Sequence, residues 1–296
     1  MKYRILLFIL LAGRAVFAQD LFDEIDKNVK QTKKYTSATF KSTRVINGHS
    51  VETVAKNHLD FRISHRFGKL NDGAYNFFGL DQATMRLGLE YGLTDKLMVG
   101  LGRSTSQKTF DSFAKYKILR QASGKGASPV SLTALATWDA ISLSTSPQFM
   151  FYNNFERFTY TGQLLIARKM NDKLSLQVSP TWVHRNKVET TLDPNDVFLM
   201  GVGGRVKITK RTTLNAEYFY RLPTSLEAGL KPNTANYNSL SMGFDIETGG
   251  HVFQLHFTNS LGMVERQFLT QTAGSWLKGD IHYGFNISRT FSFDKK

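Results

Sequence analysis

The feature that most limits how this chain can fold is a period-two alternation of apolar and polar residues, repeated in segment after segment. In residues 85–93, Met85, Leu87, Leu89, Tyr91 and Leu93 share one face, and Arg86, Gly88, Glu90 and Gly92 share the other. Leu174, Leu176, Val178 and Trp182 oppose Ser175, Gln177, Ser179 and Thr181 in the same way. The pattern returns over 97–102, 214–222, 240–247 and 281–288. Successive strand side chains point to opposite faces, so each segment is expected to be a strand with one apolar face.

A secreted β-sandwich alternates too, and three features favour a membrane barrel instead. Many segments run about nine to eleven residues, the length a tilted strand needs to cross a bilayer. Their apolar faces are rich in Tyr, Phe and Trp, as aromatic girdles require. Short turns at 94–96, 171–173, 209–211 and 248–250 alternate with longer polar loops. The expected fold is all-β, an antiparallel transmembrane β-barrel of about 12 strands. These lie at 54–67, 83–93, 96–104, 108–120, 130–144, 157–170, 173–185, 197–209, 212–222, 236–247, 251–262 and 279–293. Residues 36–47 also look extended, and Asn47-Gly48 is a hairpin turn signal, so 14 strands is the alternative. Residues 68–81 read as an external loop with a helical turn near 74–78.

The N-terminus reads as an export signal. In MKYRILLFILLAGRAVFA, Lys2 and Arg4 precede an apolar run, and Val16 and Ala18 fit a cleavage site. The expected division is a signal peptide over 1–18, cleaved after Ala18, an N-terminal periplasmic segment over 19–35 and the barrel over 36–296. Losing Lys2, Arg4 and Arg14 lowers the formal charge from +14 to +11. Leu21, Phe22, Ile25 and Val29 fall at helical spacing, which predicts a short amphipathic helix over 20–34 that packs on the periplasmic rim or plugs the lumen.

Composition narrows the chemistry. A mean hydropathy of −0.27 is too low for a bundle of membrane helices, and 41% hydrophobic residues is too high for a disordered chain. With no cysteine there is no disulfide framework, thiolate zinc site, iron–sulfur cluster or thiol nucleophile.

Several stretches resemble an uncharacterised Bacteroidota-type outer-membrane β-barrel family, a domain-of-unknown-function family. They are FKSTRVINGHSVET at 40–53, LDFRISHRFG at 59–68, GLDQATMRLGLEYGLTDKLMVGLGRS at 79–104, KYKILRQ at 115–121 and LLIARKMNDKLSLQVSPTWVHRN at 164–186. The resemblance spans about residues 36–293 and implies an outer-membrane barrel. It implies no reaction and carries over no catalytic residue.

Catalytic constellations are weak. None of the seven His is followed two residues later by Ser. His256 and Thr258 share an inward face, but no third group orients the His. His58 and Asp60 share a face and read as a structural pair, and His49 and Ser50 are adjacent, so on a strand they would face opposite sides. His58 and His65 point to opposite faces, and no metal-ligand spacing is present. The glycines at 201, 203 and 204 lack the strand–turn–helix context of a nucleotide fingerprint. No catalytic residue, metal or cofactor is expected. The basic residues form no dense patch, so nucleic acid is not an expected partner despite a pI near 9.8.

What remains is the lumen. The expected inward face carries Arg62, Arg66, Arg86, Lys115, Lys117, Arg185, Arg205, Lys207 and Arg221 against Asp60, Glu90, Glu217, Asp245 and Glu247. The functional reading is a narrow, mildly basic, porin-like and non-enzymatic channel for small anionic solutes. The alternative is a closed barrel, plugged by opposed charges, that anchors or binds a protein partner through loops at 68–82, 145–157, 186–196 and 223–236 or the N-terminal helix. A remote alternative is a lipid-acting enzyme. Outer-membrane lipid is the expected surround. Arg289 falls on the outward face, which fits only if it lies near the periplasmic interface.

Overall fold

The computed structural model describes residues 33–146, 150–188, 193–223 and 236–294. Twelve of its strands form one closed antiparallel barrel. They are β1 (His58–Lys69), β2 (Ala83–Gly92), β3 (Leu97–Ser104), β4 (Thr109–Leu119), β5 (Ser131–Ile141) and β6 (Phe158–Lys169). Then come β7 (Leu174–Arg185), β8 (Asp196–Lys207), β9 (Thr212–Arg221), β10 (Ser239–Thr248), β11 (His251–Thr258) and β12 (His282–Ser292). Each strand pairs with the next, and β12 pairs with β1, so the sheet has no free edge.

Burial runs opposite to that of a water-soluble domain. Large apolar side chains such as Leu101, Phe110, Trp138, Phe198 and Leu255 face outward, whereas most buried strand residues are polar or charged. An apolar exterior around a polar interior is the pattern of a barrel that sits in lipid.

The two ends differ. One end carries the tight turns after β2, β6, β8 and β10, together with the start of β1 and the end of β12. The connection from β4 to β5 lies at this end as well; it is longer and pairs Ala122–Ser123 with Lys34–Tyr35. The other end carries the long connections, apart from a short one between β3 and β4 through Ser106–Lys108. The loop after β1 holds a 3₁₀ turn at Ala74–Gly79, close to the expected helical turn.

The extended reading of residues 36–47 resolves differently from an extra pair of wall strands. Residues 36–57 enter the lumen at the short-turn end, reverse, and return to β1. The reversal is closed by the Val45 N–H donating to the Gly48 carbonyl at 2.8 Å and the Ser50 N–H to the Thr43 carbonyl at 3.0 Å. Asn47-Gly48 is therefore a hairpin turn, but it lies inside the barrel. The physical reason is composition: Ser37, Thr39, Ser42 and Thr43 give this segment no continuous apolar face to show to lipid. The wall begins at His58, not at residue 36. The expected signal peptide and nearly all of the 20–34 helix lie outside the described residues; Lys34–Tyr35 are extended.

From the loop end a second segment folds inward. It includes α1 (Glu265–Thr270), all six residues of which are buried. Two small apolar clusters pin the inserted pieces. The hairpin's Phe40, Val45, Val51 and Val54 meet Met98, Phe113, Leu135 and Leu165. The helix's Phe268 and Leu269 meet Val183, Val197, Leu199 and Phe219. Gly201 on the β8 wall makes room for the Phe219 ring, since a Cβ there would lie 2.6 Å from it.

Arg289 pairs across the sheet with His251, next to the Gly249-Gly250 turn, and its guanidinium lies 5.0 Å from the Phe291 ring centre. It therefore sits at the short-turn rim. Leu101, midway along β3, is 60% exposed on the outer face. Leu101→Arg is expected to lower unfolding free energy by about 2–4 kcal/mol, and Arg289→Leu to change it by no more than about 1 kcal/mol. Urea unfolding in lipid vesicles measures both.

Candidate functional site: the occupied lumen

The hairpin is held by side chains from around the wall. Glu217 on β9 accepts the backbone N–H groups of Ile46 at 3.1 Å, Asn47 at 2.7 Å and Gly48 at 3.1 Å. The Asn47 amide donates to Ser241 Oγ at 2.9 Å and accepts from Arg66 Nη2 at 2.6 Å. Gln177 donates to the His49 carbonyl at 2.8 Å and accepts the Val51 N–H at 2.9 Å. Lys115 Nζ donates to the carbonyls of Thr43 at 3.0 Å and Glu52 at 2.7 Å. Arg62 Nη2 donates to Ser42 Oγ at 2.8 Å and Thr43 Oγ1 at 2.9 Å. Thr43 in turn donates to Glu90. Buried polar groups need such partners, and here wall and hairpin supply them to one another.

The two inserted pieces meet at Glu265. Arg44 Nη1 donates to its carboxylate at 3.0 Å, and His49 Nε2 lies 3.3 Å from it. Burial, helped by Arg44 and Lys115, pushes the His49 imidazole well below its usual range. Burial pushes the Glu265 carboxyl up against the pull of Arg44. The Arg266 N–H donates to Asp139 at 3.2 Å, which fixes α1 to the wall.

Eight of the eleven residues expected to line the lumen are buried on its inner face: Arg62, Arg66, Arg86, Glu90, Lys115, Arg185, Arg205 and Glu217. Lys117, Lys207 and Arg221 are half-buried near the barrel ends. Arg62, Arg66, Glu90, Lys115 and Glu217 converge on the hairpin, and Arg205 donates to the Ala38 carbonyl at its base. Arg86 is instead clamped by Asp111 on the wall, with Nε–Oδ1 at 2.8 Å and a second contact through Nη2. Arg185 and Arg221 lie apart at the loop end, where they donate to the carbonyls of Pro194 and Thr270.

The expected inward charges omit two carboxylates. Asp111 and Asp139 also point inward, so the buried wall sets Arg62, Arg66, Arg86, Lys115, Arg185 and Arg205 against Asp60, Glu90, Asp111, Asp139, Glu217 and Asp245. These buried charges balance, six against six, while the half-buried Lys117, Lys207 and Arg221 against Glu247 leave the inward face mildly basic. At the short-turn mouth, Lys117 and Arg120 share an open cavity of about 430 Å³ with Glu52 and Asp95, and a neighbouring cavity sets Lys33, Lys96, Lys117 and Arg120 against Asp95 alone. At the loop end another cavity measures about 570 Å³. A third cavity, beside the hairpin turn and lined by Asn47, Arg62, Arg66 and Arg86, measures about 10 Å³, about the space one water molecule needs.

Asp111 and Asp139 share the alternation phase of Lys115 and Thr137, so their placement was readable in the sequence. Glu265 and Gln267 gave no such signal, because their segment is neither amphipathic nor strand-like. His256 and Thr258 are both buried and inward, but Thr258 is bonded to Ser241 at 2.9 Å, and the His256 ring makes no hydrogen bond among the described residues. Asp60 accepts from Thr290 at 2.9 Å, and His58 Nδ1 contacts the Lys56 carbonyl at 2.8 Å. Among the described residues no three His, Asp or Glu side chains are grouped to hold a metal ion.

A family model described as "Membrane bound beta barrel domain (DUF5777)" matches residues 40–291. The comparison with curated proteins finds no match. Among solved structures, the chain is similar to the KdgM porin (12% identity, TM-score 0.45), covering 79% of this chain and 99% of that one. It is similar to the NanC porin (11% identity, TM-score 0.47), covering 80% of this chain and 100% of that one. It is also similar to an outer membrane channel from Pseudomonas putida F1 (10% identity, TM-score 0.45), covering 81% of this chain and 97% of that one.

Replacing Glu217 tests the grip on the hairpin. Glu217→Ala leaves three backbone N–H groups without their acceptor, at a cost of about 1.5–3 kcal/mol. The amides of residues 45–49 should then exchange with deuterium on the order of ten- to a hundredfold faster, read by mass spectrometry. Glu247→Gln, which touches the hairpin only through Lys41 near the mouth, should leave them unchanged.

Proposed function

The chain belongs to this membrane-bound β-barrel family, and from that premise we propose that it is a gated outer-membrane channel, closed by the luminal hairpin. The observation that carries this reading is the polarity of the hairpin–wall contact. Most of it consists of hydrogen bonds and ion pairs, which can be exchanged for bonds to water at a net cost of about 0.5–1.5 kcal/mol each where both partners are neutral and about 1.5–3 kcal/mol where one is charged. The hairpin is also covalently joined to the wall on one side only, at β1. Its other strand leaves through the short-turn mouth at Thr36, where the Thr36 N–H donates to the Gln121 carbonyl. Withdrawal therefore breaks no rung of the barrel ladder.

In this reading that mouth faces the periplasm and the long loops lie outside, which the even strand number and short turns support, and export by a cleaved leader over 1–18 is part of it. With the buried charges balanced, selectivity falls to the mouth. Lys117, Lys207 and Arg120 there raise the local concentration of anions, so the solutes proposed are small and anionic. The inward His and carboxylates serve as attachments, and the reading needs no catalysis. The hydrogen-bonded insertion of both the hairpin and α1 supports a second reading, a closed barrel that acts as anchor or scaffold.

Planar-bilayer recording separates the two. The whole chain should be silent or show rare, brief openings. A folded variant lacking residues 39–53 should conduct steadily and prefer anions in a salt gradient. Changing both Lys117 and Lys207 to Gln in that variant should shift its reversal potential towards zero. A folded deletion variant that stays silent rules out the hairpin as the gate and leaves the anchor.

A further inference from the structure

The cavity at the loop end is lined unlike those at the short-turn end. Gln82, Gln107, Asn236, Asn259, Gln267 and Gln271 all face it. The two cavities at the short-turn end contain no carboxamide. Charge at its rim is already committed within the protein. Lys69 Nζ donates to Asp280 at 3.2 Å, and Asp72 accepts the Lys69 N–H at 3.2 Å. His282 uses Nδ1 on the Phe67 carbonyl at 2.9 Å.

The lining is also built. Asn259 accepts the Leu240 N–H at 2.9 Å and donates to the carbonyls of Asn238 and Gly274, both at 2.9 Å. Gln107 accepts from Arg266 at 2.6 Å. Gln267, on α1, is only 4% exposed. Its amide nitrogen donates to Ser106 Oγ at 3.2 Å and the Ser106 carbonyl at 3.3 Å, while its carbonyl Oε1 has no hydrogen-bond partner. A buried acceptor without a donor is an unmet demand, and the residue that carries it lines an open polar cavity.

We infer that this cavity binds a neutral saccharide of one or two rings. Carboxamides both donate and accept, as hydroxyl groups do, and fixed carboxamides match a dense array of hydroxyls without needing charge on the ligand. Once the Gln267 carboxamide turns towards the cavity, a ligand hydroxyl supplies the missing donor. The volume of about 570 Å³ lies within the usual span of small-molecule sites. That the cavity faces the cell exterior rests on the channel reading above; the binding itself does not.

The test uses the full chain folded in a zwitterionic detergent. Maltose, lactose and N,N′-diacetylchitobiose are the probes, with galacturonate as the acidic comparator. Saturation-transfer NMR detects binding, and calorimetry measures it. At least one neutral disaccharide should bind saturably at one site, more tightly than galacturonate. Gln267→Met should weaken it tenfold or more, and the Lys117→Gln, Lys207→Gln pair should leave it unchanged. Should Gln267→Met not fold, Gln82→Leu, at an exposed position, decides alone, with an expected loss of threefold or more. The inference is overturned if no neutral probe saturates, if the folded Gln variants bind as tightly as the whole chain, or if galacturonate binds best. Because binding is read at equilibrium without current, a failed gate leaves this result standing, and a failed site leaves the gate standing.

Discussion

Every strand in this barrel must satisfy its backbone hydrogen bonds with other strands, because hydrocarbon offers none. That constraint closes the sheet, and closure creates the next problem. A barrel of eight strands can fill its interior with its own side chains, whereas twelve strands enclose more space than the wall can occupy. The chain answers with its own backbone: a hairpin from one end and a short helix from the other. The wall's inner face must then bind polypeptide, and polypeptide is rich in N–H and C=O groups. The Glu217 carboxylate across three N–H groups, and the Lys115 ammonium on two carbonyls, follow from that need.

The balanced wall charges follow from the same demand. A buried charge is costly unless paired and hydrogen-bonded, so each cation must find an anion or several dipoles. Arg86 has Asp111, Arg62 has Asp60 and neighbouring hydroxyls, and Arg66 has the Asn47 side chain. The charges near Arg62 and Arg86 therefore act less as a field for passing ions than as attachment points. Uncommitted charge survives where water reaches, at the short-turn mouth.

The wall was legible in the sequence because its rule is local. Alternation at Met85, Leu87 and Leu89 settles which faces meet lipid, with no knowledge of distant residues. The twelve expected segments correspond to the twelve strands, and their ends differ mainly where polar loops continue the alternation, as at 54–57 and 236–238. The interior was less legible because its rule is not local. Asn47-Gly48 announces a hairpin wherever it lies. Only the count of strands already closed, and the missing apolar face of 36–47, say that it belongs inside. Glu265 could not be placed at all, since its partners Arg44 and His49 lie more than 200 residues away and no periodicity links them.

That distant contact ties the two halves of the interior together. Glu265 belongs to α1, which enters from the loop end, while Arg44 and His49 belong to the hairpin, which enters from the turn end. Two residues along the same helix, Gln267 lines the outer cavity. Holding the hairpin and holding α1 are thus not independent, because each presents part of the other's binding surface. Whatever changes the free energy of α1 differently in the presence and absence of the hairpin changes the hairpin's hold by the same amount. The same bonds that fill the barrel therefore connect its two ends, and a polar interior carries that connection through directed contacts, where an apolar filling would offer only volume.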